Sequence, residues 1–93
     1  MSNKDEIRVL AIAIGILDAL KQGTINVEFA EKNIFAPKYV KELKEKKCNG
    51  EIIKIIEEGC ELEDIESLIP QKLANNIEIL EKKALELLKM YEF

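Results

Sequence analysis

IRVLAIAIGILDAL (Ile7–Leu20) decides the fold. Twelve of its fourteen residues are apolar or glycine, and only Arg8 and Asp18 carry charge. Elsewhere in the chain a charge falls every two or three positions. A helix apolar on nearly every side belongs in an interior. The expectation is therefore a buried N-terminal helix, about residues 3–22, with other helices wrapped around it. One stripe breaks the pattern: Lys4, Arg8, Ala11, Gly15, Asp18 and Gln22 fall at alternating intervals of four and three, so they share a face. It reads either as a narrow exposed strip or as a place where Ala11 and Gly15 admit a second backbone closely. Close packing would offset the roughly 1 kcal/mol that glycine costs inside a helix.

Punctuation outside this stretch is helical. Ser2 with Asp5, or Asn3 with Glu6, has the spacing of a capping box that starts the first helix. Gly23 can stop it in the left-handed conformation. Asn26 can cap a short second helix to about Ile34. Pro37 suits the first turn of a third, to about Lys47, with Ala36 before it pushed to extended geometry. Asn49 can cap a fourth helix, whose Ile52, Ile53, Ile55 and Ile56 form a broad apolar face and which Gly59 is expected to end. Leu62, Ile65, Leu68 and Ile69 continue at helical spacing to Pro70. A last helix is expected from Pro70 to near Tyr91. Its Leu73, Ile77, Leu80, Ala84, Leu87 and Tyr91 repeat at heptad spacing, which over so short a length marks bundle packing. Ile79, Leu85 and Leu88 lie off that seam and suggest a homodimer contact.

The expected fold is thus all-α: one helical domain over residues 1–93, a compact bundle of five or six helices. The 93 residues are 47% hydrophobic and 34% charged, a balance of foldable chains rather than disordered ones. The longest apolar run, Val9 to Leu17, is nine residues against the roughly 20 that span a bilayer. No membrane association and a cytoplasmic location are expected, with Cys48 and Cys60 as reduced thiols, although the sequence leaves a bridge between them open.

The residue inventory argues against catalysis. There is no histidine, the commonest general base and metal ligand. Ser67 sits in an acidic run without a visible base. The cysteines lack the spacing of a redox or zinc motif, and no glycine-rich phosphate loop precedes a helix. No catalytic residue, no cofactor and no metal site are expected.

Charge is unevenly spread. Residues 51–70 hold one positive and seven negative charges, so the formal net charge of −4 originates there. Its core is Glu57, Glu58, Glu61, Glu63, Asp64 and Glu66, six carboxylates in ten residues. Three readings compete: a solvated face, a docking surface for a basic protein partner, and a divalent-metal site. The calcium-loop spacing and its glycine are missing for the last. Lys38, Lys41, Lys44, Lys46 and Lys47 form a smaller basic patch, offset by Glu42 and Glu45. A lone arginine and a net negative charge argue against nucleic-acid binding. The patch can face the acidic cluster instead, within one chain or across a dimer.

GTINVEFAEKNIFAP (Gly23–Pro37) and GCELEDIESLIP (Gly59–Pro70), in that order behind an apolar helix, resemble motifs of a family of short bacterial proteins of unknown function. The resemblance implies a small, mostly helical, cytoplasmic protein and carries no assigned activity or functional residues. The expected role is non-catalytic: an adaptor-, inhibitor- or immunity-like protein using the acidic face at residues 57–66. The alternative is a small-molecule or metal-regulated binding module with a pocket beside the first helix.

Overall fold

The computed structural model describes residues 1–93 and contains helices and turns but no strand. Four helices of nine residues or more make the frame, not five or six: α1 (Asn3–Gln22), α3 (Pro37–Glu45), α4 (Gly50–Cys60) and α6 (Leu73–Leu88). Two seven-residue pieces, α2 (Val27–Asn33) and α5 (Leu62–Leu68), fill the corners, and a single 3-10 turn, Pro70–Lys72, leads into α6. The last helix therefore starts three residues later than Pro70 suggested. Proline supplies the fixed φ of the turn, and α6 propagates from Leu73.

Local chemistry sets most boundaries. The Ser2 hydroxyl, not Asn3, caps α1 by accepting the Asp5 N–H at 3.1 Å. Gly23 ends it with φ of 74°. Asn26 Oδ1 accepts the Phe29 N–H at 2.8 Å to start α2. Pro37 opens α3 after an extended Ala36. Asn49 Oδ1 accepts the Glu51 N–H at 2.8 Å to start α4.

The first helix does not lie at the centre. α1 buries one stripe, Glu6, Val9, Leu10, Ala13, Leu17 and Leu20, and packs chiefly along α6. Lys4, Arg8, Ala11, Ile12 and Gly15 are exposed. At roughly 1.5 Å per residue α1 is about 30 Å long, more than the remaining short elements can wrap. The most enclosed helix is α4, which buries Ile52, Ile53, Ile55, Ile56 and Gly59. Around it 20 buried apolar residues form one core, with Phe35, Leu10, Leu17, Leu43, Ile52, Ile56 and Leu62 fully enclosed.

Of the two readings of the Gly15 stripe, the structure of the chain gives the exposed strip, and close packing falls to Gly59 instead. Gly15 makes no close approach within the chain: a Cβ there would meet nothing within 4 Å. Gly59 does not end α4, which runs on to Cys60. It is buried inside the helix with the Phe35 ring pressed on its backbone, and a Cβ at Gly59 would lie only 2.6 Å from Phe35 Cγ. Phe35 itself is only 1% exposed and has nowhere to retreat. Gly59→Ala is therefore expected to destabilise the protein by about 1–3 kcal/mol through overpacking. Gly15→Ala is expected to stabilise it by up to about 1 kcal/mol. Urea or thermal unfolding of the two variants checks the opposite signs.

Candidate functional site

The six carboxylates of residues 57–66 do not form one surface. Glu57 and Glu58 leave α4 in different directions and are already paired within the chain. Glu57 meets Lys44 of α3 at 3.4 Å, and Glu58 meets Lys83 of α6 at 3.0 Å. The basic patch thus answers the acidic cluster through a single lysine. Glu61 occupies the lone junction residue between α4 and α5, and Glu63, Asp64 and Glu66 project from α5, all exposed.

Sequence distance hides the most telling neighbour. α2 packs on α5, which brings Glu31 beside Glu63. The nearness of Glu31, first as a hydrogen-bond acceptor for a protonated Glu63 and then as a like charge, pushes the Glu63 pKa above the usual carboxylate range; the charges of Asp64 and Glu28 push the same way. No lysine or arginine of the chain pairs with Glu31, Glu61, Glu63, Asp64 or Glu66, whereas Glu28 is met by Lys32 at 3.0 Å. Large apolar side chains stand on the same two elements: Phe29 of α2 is 47% exposed and Leu68 of α5 78%. No group of three or more carboxylate, thiol or imidazole side chains has metal-binding geometry.

A second cluster, absent from the sequence reading, lies where the start of α1, the α3–α4 connection and the segment after α6 meet. Glu6 is 8% exposed. Its Oε2 accepts the Asn49 backbone N–H at 2.7 Å and its Oε1 accepts the Tyr91 hydroxyl at 2.8 Å. The Asn49 side-chain amide donates to the Tyr91 oxygen at 3.2 Å, so Asn49 caps α4 and joins the cluster at once. Lys47, at φ 57°, turns the chain into this position. Glu81 is the other buried carboxylate, 7% exposed and held by Lys21 at 2.8 Å. That contact, ahead of the nearby Asp18, raises the Lys21 pKa.

Both acids could have been found by phase. Glu6 falls in register with Leu10, Ala13 and Leu17, and Glu81 with Ile77 and Ala84, so each lies on its helix's buried stripe.

The thiols are free, Cys48 buried and Cys60 half-buried. Burial, the largest cause at each, raises both pKa values and disfavours the reactive thiolate. Beside α1 an open cleft of about 480 Å³ is lined by Asp5, Arg8, Val9, Tyr39, Leu43 and Lys46 among others. No helix is long and apolar enough to cross a membrane.

The chain belongs to the family described as "Protein of unknown function (DUF3969)", whose model matches residues 2–93. No curated protein and no solved structure matches it.

The buried Glu6 cluster makes a stability prediction. Tyr91→Phe removes a donor and leaves a buried carboxylate oxygen unpaired, with an expected cost of about 1–3 kcal/mol in chemical denaturation. Burial, followed by the bond to Glu6, raises the Tyr91 pKa above the ordinary 10.0. Between the ordinary value and the raised one the folded state holds more protons than the unfolded state. Stability therefore falls as pH climbs through that window, and the fall should be shallower in Tyr91→Phe.

Proposed function

We propose that this member of the family is a non-catalytic interaction protein whose α2–α5 surface docks a basic protein partner. The reading rests on the Glu31–Glu63 pair. A folded chain that holds two carboxyls against each other, with no cation opposite, gains when a partner's lysine or arginine enters. Phe29 and Leu68 would add the apolar contacts that electrostatic steering alone lacks. The docking set expected at residues 57–66 thus narrows to Glu61, Glu63, Asp64 and Glu66 and extends to Glu31. Glu57 and Glu58 are engaged by Lys44 and Lys83.

A second reading, a small-molecule binding module, is favoured by the cleft beside α1. Its charged lining includes both Arg8 and Lys46 and both Asp5 and Glu42, so it selects no charge type. The acidic surface selects one.

Amide chemical shifts followed by NMR during titration with a lysine-rich amphipathic peptide separate these readings. Docking predicts shifts concentrated in residues 28–33 and 61–68, lost at high salt. A chain carrying Glu31→Gln, Glu63→Gln and Asp64→Gln should bind at least about tenfold more weakly. Equal binding by both chains, or shifts centred on Asp5, Tyr39 and Leu43, would overturn the proposal.

A further inference from the structure

Ile12 is out of place on α1. It is 49% exposed in the middle of the most apolar helix of the chain, beside exposed Ala11 and Gly15 and half-buried Ile16 and Ala19. No other element covers this side. An apolar helix face left open in the monomer calls for an occupant.

The charges along the face say which one. Lys4, Arg8, Ala11, Gly15, Asp18 and Gln22 are spaced four, three, four, three and four, an order that reads the same from either end. A second α1 laid antiparallel about the helix midpoint therefore sets Lys4 against Gln22, Arg8 against Asp18, and Ala11 against Gly15. The opposite charges meet, and the small residues fall at the crossing, where they allow the axes to approach to about 8 Å. A parallel pairing would instead set Arg8 on Arg8 and Asp18 on Asp18. Both ions are available. Arg8, the only arginine, is 64% exposed and reaches Asp5 only at 3.9 Å, and Asp18 is 50% exposed beside Lys21 at 3.5 Å. Exposed pairs of this kind contribute little, so regrouping them across an interface costs little.

We infer that the outward face of α1 binds a second copy of this chain as a two-fold antiparallel pair, with Arg8 and Asp18 as its reciprocal contacts. The interface is separate from the α2–α5 surface and does not depend on it. It also lies on a different helix from the α6 contact suggested by Ile79, Leu85 and Leu88.

Sedimentation velocity from micromolar to near-millimolar concentration tests this. The wild-type chain should pass from monomer to dimer. Arg8→Asp, which opposes two aspartates, should weaken the dimer by at least about tenfold, and the double exchange Arg8→Asp with Asp18→Arg should restore it. Ile12→Lys should also leave a monomer. All three positions lie at the surface, the Arg8 and Asp18 side chains 64% and 50% exposed and Ile12 49%, so melting temperatures near that of the wild type will show that each variant folds. A wild-type chain that stays monomeric would overturn the inference. So would dimerisation unaffected by Arg8→Asp, or a double exchange that fails to restore it.

Discussion

The antiparallel seating of α1 on α6, tied at both ends by buried carboxylates, is the constraint on which the rest of the structure depends. At one end Glu6 holds the Asn49 backbone and the Tyr91 hydroxyl; at the other Glu81 holds Lys21. Leu10, Ala13 and Leu17 of α1 and Ile77, Leu80 and Ala84 of α6 are all buried where the two helices pack on each other. Apolar burial supplies the larger energy, at roughly 25 cal/mol per Å², but it is indifferent to small slips. The carboxylates are not, because a slip would leave a buried charged oxygen without its donor. They fix the register that apolar packing leaves loose.

That register has consequences at a distance. Because Glu6 accepts the Asn49 N–H, the start of α4 is fixed relative to α1, and α4 carries the four isoleucines that centre the core. Because Gly59 has no side chain, Phe35 closes over α4 and carries the α2–α3 corner inward with it. α2 then lies against α5, and Glu31 comes beside Glu63. The acidic pair on which the functional proposal rests is thus a product of packing. Neither α2 nor α5 exceeds seven residues, too short to persist as a helix in isolation.

Much of the fold was legible because its signals are local. Ser2, Gly23, Asn26, Pro37 and Asn49 act at helix ends through their nearest backbone groups, and their spacing alone locates them. Gly59 misled because a glycine that stops a helix and one that admits a ring look alike until the ring's position is known. The apolar IRVLAIAIGILDAL stretch misled for a different reason. Apolarity reports a tendency to be covered, and it does not say whether the cover is the same chain. The carboxylates of residues 57–66 were visible as a cluster, but their division into paired and unpaired members depends on Lys44, Lys83 and Glu31, each from another element. No local pattern encodes that division.

The claim that matters most for function is that the free protein holds an uncompensated carboxylate pair across α2 and α5. A carboxyl-detected NMR titration of the isolated chain measures it residue by residue. Glu63 should titrate above the ordinary carboxylate range, and Glu31→Gln, which removes the facing charge, should bring it down. Ordinary titration of Glu63 in both chains would mean that the two carboxyls stand apart in solution. The α2–α5 surface would then be a solvated face without a reason to bind a basic partner.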